Sequence, residues 1–267
     1  MMIRKRASMT MLGILFVLGA CNPSTDEDHN LTDPPETEKA DEVVENTETD
    51  SVTDPQPVAQ TYEEILEEVK SAIQTDVVVK VPDEVLTNEG YLTAATDSNA
   101  SSYEVNFFVT NVPVAVNDPL LQDAHPYMIV NGTKFESAES AKAKVNYEPL
   151  VDGAEETDLG YGITGHLDAG AGSVFLTWHE GRWSFSVRNH NNGNGREEMI
   201  ELAKQIVGKL ESQLLPAPHD SGAGMFDMNS NGAAANSIIW QEGTTVYEIY
   251  TGDPLLLIDT VTGYMGQ

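Results

Sequence analysis

Ser173-Val174-Phe175-Leu176-Thr177-Trp178-His179-Glu180-Gly181-Arg182-Trp183-Ser184-Phe185-Ser186-Val187-Arg188 is the stretch that decides the fold. Two runs rich in aromatic and β-branched residues flank Glu180-Gly181, a pairing that reads as a tight β-hairpin. Phe175, Trp178, Trp183 and Phe185 are the large side chains available for one buried face. Downstream, Ser237 to Gln241, Glu242-Gly243 and Thr245 to Thr251 repeat the pattern. Trp178-His179-Glu180-Gly181 is echoed by Trp240-Gln241-Glu242-Gly243, either because a unit is duplicated or because two hairpins use the same turn chemistry.

Helical patterns frame these hairpins. Thr61 with Glu64 three residues later forms a capping-box signature. Tyr62, Ile65, Leu66, Val69 and Ile73 then follow a helical stripe, with Glu63, Glu67 and Glu68 left for water. Asn194 is placed to cap a second helix from about Gly195 to Leu214, with Met199, Ala203, Ile206, Val207 and Leu210 on one side, ended by Pro216 and Pro218. Ser137 to Val145 reads as a short helix. Val77 to Val81, Tyr103 to Thr110, Val112 to Val116 and Leu255 to Val261 read as strands. Asn131-Gly132 reads as the turn of a hairpin between Tyr127–Val130 and Thr133–Phe135. Residues 146–172 and 219–235, rich in glycine and polar residues, read as loops. The expected fold class is α+β, an antiparallel sheet of hairpins packed with two main amphipathic helices. The globular region is 61–267, as one domain or as two halves, 61–150 and 159–267.

The chain begins differently. Arg4, Lys5 and Arg6 precede an apolar run, Met11 to Leu18, too short to span a bilayer, and the run ends in Gly19-Ala20. Cys21, the single cysteine of the 267 residues, follows. Leu18-Gly19-Ala20-Cys21 resembles the lipobox of bacterial lipoproteins. That resemblance implies a signal peptide over 1–20 and a cysteine that receives diacylglyceryl and palmitate-type chains. It also implies a protein anchored at the extracytoplasmic face of the cell membrane. Two lipid chains hold a protein firmly where one holds it only marginally. Residues 21–60 form the expected tether: between 22 and 60 there are twelve acidic residues against one lysine, with five prolines, a composition that cannot collapse into a core. The folded part also resembles uncharacterised surface lipoproteins of Gram-positive bacteria, through the helix leading to Leu215-Pro216-Ala217-Pro218 and the Trp178-His179-Glu180-Gly181 hairpin. That resemblance implies no activity and no functional residues.

A net charge of −29 repels phosphate backbones and anionic lipid surfaces, which argues against nucleic acid as a partner. With Cys21 lipidated there is no thiol for catalysis, disulfides or thiolate metal sites. Asp227-Met228-Asn229-Ser230-Asn231-Gly232 resembles the start of an EF-hand loop, which makes Asp227, Asn229 and Asn231 candidate calcium ligands. Position 12 of that loop is Ile238, so the bidentate glutamate is missing. His179-Glu180 lacks the second histidine of a zinc motif, since Trp183 stands in its place. His166 and Asp168, two apart in a glycine-rich segment, form a two-ligand pair. No G-x-S-x-G or phosphate-cradling glycine loop is present. Trp178, Trp183 and Trp240 are candidates to line a sugar or peptide groove. The functional expectation is a non-enzymatic binding or interaction module at the cell surface, directed at cell-wall polymer or a surface protein. The alternative is a wall-directed hydrolase that uses carboxylates.

Overall fold

The computed structural model describes residues 58–87, 89–191 and 194–266. Cys21, the signal-like run before it and nearly all of the acidic stretch 22–60 lie outside the described residues. Among the described residues there are four α-helices, α1 (Tyr62–Ala72), α2 (Ala138–Lys144), α3 (Gly195–Leu210) and α4 (Pro254–Thr262). The strands are β1 (Tyr91–Asn99), β2 (Ser102–Thr110), β3 (Met128–Lys134), β4 (Glu155–Gly160), β5 (Ile163–Gly170), β6 (Ser173–Glu180), β7 (Trp183–His190), β8 (Gly222–Asp227), β9 (Asn236–Glu242) and β10 (Thr245–Thr251). They form one ten-stranded sheet in the order β1-β2-β3-β10-β9-β8-β7-β6-β5-β4. Every neighbouring pair is antiparallel except β7 and β8, which run parallel because α3 carries the chain between them.

The α+β class is therefore met, with four helices among the described residues where two main ones and the short 137–145 helix were expected. The capping box of α1 is present: Thr61 Oγ1 accepts from Glu64 N, and Glu64 Oε2 accepts from Thr61 N at 2.7 Å. Helices α1, α3 and α4 bury Ile65, Val69, Met199, Ile206, Leu257 and Ile258 in one core with Trp178, Phe185 and Trp240 of the sheet. Helix α2 covers the opposite, outer face, where Ala141 and Val145 meet Ala223, Ile239 and Val246. Asn194 makes no side-chain cap on α3.

Several expectations are corrected. Leu255 to Val261 is helix, not strand. Asp253 Oδ1 accepts from the backbone N–H groups of Leu255 and Leu256, Pro254 opens the first turn, and Leu257, Ile258 and Val261 fall on one buried side. Asn131-Gly132 is no turn, because β3 runs straight through it. Gly132 stands there because the ring of Tyr103 on β2 lies directly over it, leaving no room for a Cβ. Val77 to Val81 joins no ladder. It crosses the inner face, where the Tyr103 hydroxyl accepts from Lys80 N at 2.9 Å and donates to Lys80 O at 2.8 Å, while the Tyr247 hydroxyl donates to Val78 O. Val112 to Val116 is likewise not a strand. The segments 146–172 and 219–235 contain β4, β5 and β8. In β8, Gly222 and Gly224 admit the rings of Trp183 and Phe185 from the adjoining parallel strand, so a glycine-rich sequence is a strand for a packing reason.

The tryptophan echo has a structural basis. The Trp178 indole N–H donates to Glu180 Oε1 at 3.0 Å and that of Trp240 to Glu242 Oε1 at 2.8 Å. Gly181 and Gly243 both turn the chain at positive φ, 61° and 62°. Each motif lies in a three-strand-plus-helix unit, β5-β6-β7-α3 and β8-β9-β10-α4, so the described fold is built on a repeated βββα arrangement.

Candidate functional site

Side chains of a strand alternate between the two faces of a sheet, so the outward positions of β5 to β9 form rows across the outer face. One row runs His166, Thr177, Ser186, Met225 and Ser237. The next runs Asp168, Phe175, Arg188 and Asp227. Phe175 therefore faces away from Trp178, Trp183 and Phe185, with which the sequence grouped it. Positions 175 and 178 have opposite parity and cannot share a face of one strand.

These two rows floor a cleft of about 530 Å³, walled on one side by Glu148, Pro149 and Val151 and on the other by Ala234 and Ala235. The first wall is pinned to the sheet. His179 Nε2 lies 2.8 Å from Glu148 O, which fixes that nitrogen as the proton-bearing one, since a carbonyl only accepts. The Glu148 N–H donates to Ser184 Oγ at 3.0 Å, and the Tyr147 ring packs on the His179 ring at 5.0 Å. His179, with no zinc-motif partner, holds this wall in place.

The floor is chemically uneven. Thr177, Ser186 and Ser237 are each 8 % exposed, and their hydroxyls make no side-chain hydrogen bond with any described residue. These hydroxyls open onto the cleft, where water or a ligand can pair with them. In the second row Arg188 Nη1 donates to Asp227 Oδ2 at 2.8 Å. Asp227 Oδ1 accepts from both the backbone and the side-chain amide of Asn229, each at 2.9 Å. Burial pushes the Asp227 carboxyl upward, but the Asn229 bonds and then the Arg188 bond and charge outweigh it and hold the group below the usual carboxylate range. Asp168, at the far end of the row, has no ion-pair or side-chain hydrogen-bond partner among the described residues.

The other predicted site residues are distributed as follows. Asp227 and Asn229 bond each other in the β8–β9 connection, and Asn229 Oδ1 accepts from His190 N at 3.0 Å. The structure gathers these oxygens around protein N–H donors, and β8 and β9 flank the loop where an EF-hand has helices. Among the described residues no three His, Asp or Glu side chains converge as a metal set. Trp178 and Trp240 are fully buried and Trp183 nearly so, with two of the three indole N–H groups satisfied by glutamate, so the tryptophans build the core instead of lining a groove. His166 and Asp168 do reach the cleft, side by side on its rim. Phe175, Thr177, Ser186, Arg188 and Ser237 were missed, although strict two-residue alternation through the 173–188 hairpin would have separated the cleft side from the tryptophan side.

Asp168 and Asp227 share a row but lie three strand spacings apart, about 14 Å along the sheet. Two carboxyls that cleave a glycosidic bond stand about 5–10 Å apart. Comparison of the chain with protein families, with curated proteins and with solved structures gave no match.

Proposed function

We propose that this protein is a lipid-anchored binding module at the extracytoplasmic face of the cell membrane, and that the outer-face cleft is its binding site. Cys21 and the acidic 22–60 tether supply the anchorage and the reach. The observation that carries the binding reading is the row of hydroxyls that open onto the cleft without side-chain partners, set between a pinned wall and an Arg188–Asp227 pair. Such a floor suits recognition of a small polar ligand by hydrogen bonds. The spacing of Asp168 and Asp227 is wider than the carboxylate pair of a glycoside-cleaving site.

Two experiments test the proposal. Cells expressing the full chain and fed labelled palmitate should label the wild type and not Cys21→Ala, and equal labelling of both would remove the anchor. Purified protein melted with soluble cell-wall fragments should gain several degrees. A ligand at a hundred times its dissociation constant adds roughly 2.7 kcal/mol of stability to the native state. Ser186→Trp, which fills the cleft, should abolish the gain. A gain that survives this substitution would move the site elsewhere.

A further inference from the structure

We propose that the cleft recognises an uncharged acetamido sugar. This rests on the binding reading above and adds the chemistry of the ligand. Thr177, Ser186 and Ser237 each offer one donor and acceptor lone pairs, so a ligand that both donates and accepts uses the full capacity of the row. An anion only accepts and an ammonium only donates, whereas sugar hydroxyls do both.

The charged row points the same way. The Arg188 charge is already met by Asp227, leaving exposed guanidinium N–H groups able to donate to a neutral acceptor, such as a hydroxyl or an amide carbonyl. Asp168, exposed on the rim, offers acceptor oxygens. Phosphate- or carboxylate-bearing ligands would meet the carboxylates of Asp168 and Glu148 and the −29 net charge, with the Arg188 charge already paired to Asp227. Between Asp168 and Arg188 in the same row stands the half-buried ring of Phe175, and Met225 occupies the row beside it. These apolar surfaces suit the C–H face of a pyranose ring and the acetamido methyl. A volume of about 530 Å³ lies within the usual range of small-ligand sites.

The test is calorimetric titration of the purified full chain with N,N′,N″-triacetylchitotriose, alongside its de-acetylated form and spermidine. The acetylated trimer should bind, and saturation-transfer NMR should show its acetamido methyls closest to protein protons. Thr177→Val, which keeps the shape and removes the hydroxyl, should weaken binding roughly three- to tenfold, and Ser186→Ala likewise. Phe175→Ala should abolish the methyl signal. Near-ultraviolet circular dichroism checks that each variant is folded. If the trimer binds equally well to the folded variants, the sugar sits elsewhere and the inference fails. If the de-acetylated trimer or spermidine binds instead, and Thr177→Val weakens that, the ligand class is overturned while the cleft remains a binding site. If none of the three probes binds, the inference fails, and the wall-fragment melting experiment alone then decides whether the cleft binds anything.

Discussion

Among the described residues, Glu180 is a carboxylate whose surroundings disfavour its charge. Burial raises its pKa most, the Trp178 N–H bond opposes that, and repulsion from Glu211 adds to it. Its counterpart in the repeat, Glu242, forms an ion pair with Lys80 Nζ at 2.8 Å. A carboxyl whose folded pKa lies above its unfolded one contributes stability that is fully present below the ordinary carboxylate range. That contribution is lost as pH rises through the folded value. Glu180→Gln keeps the acceptor for the indole and removes the charge. It should raise the melting temperature by about 1–3 °C at pH 7, with the gain vanishing near pH 3. Melts at pH 3, 5 and 7 check this, and a gain independent of pH would mean the charge is not its source. A second substitution probes packing. At Gly224 an added Cβ would stand 2.5 Å from Phe185 Cδ1, so Gly224→Ala should cost about 1–3 kcal/mol in a urea titration.

At the scale of elements, the sequence disclosed whatever signalled itself locally. The 173–188 and 237–251 hairpins, the capping box and the apolar stripes of α1 and α3 could all be read because the period of the pattern matched the period of the structure. The cleft could be read only in part, through His166, Asp168 and Asp227, because its floor is assembled from five strands whose register is invisible along the chain. Strands β4 and β8 were hidden for opposite reasons. Edge strand β4 carries Glu155, Glu156 and Asp158, charges that discourage further strand addition and also mask a strand. In β8 the glycines answer to rings that lie elsewhere in the sequence. Helix α4 was misread because Leu255 to Val261 is rich in branched residues, while the decisive signal was Asp253-Pro254 at its start. Asp253→Ala should cost about 1 kcal/mol, read as a lower urea midpoint with an unchanged slope.

At the scale of the whole molecule, the last strand of the sheet in sequence is central in space. β10 pairs with β3 on one side and β9 on the other, matching Thr245 to Lys134 and to Glu242. A chain stopped after Glu242 should lack a cooperative melting transition, whereas one stopped after Tyr264, which keeps the last core side chain on Trp240, should keep it. If the shorter chain melted cooperatively, β9 and β3 would each be stable without their shared partner. The same arrangement sets a timetable for biosynthesis. A chain that emerges from its N-terminus exposes the free edge of β3 more than a hundred residues before its second partner strand, β10, exists. During that interval the β3 edge, Met128-Ile129-Val130-Asn131-Gly132-Thr133-Lys134, has nothing of its own to pair with and is open to any other extended chain. Synthesis of this protein therefore includes a waiting period whose length is set by translation speed, and a chaperone that shields an extended segment would act on β3.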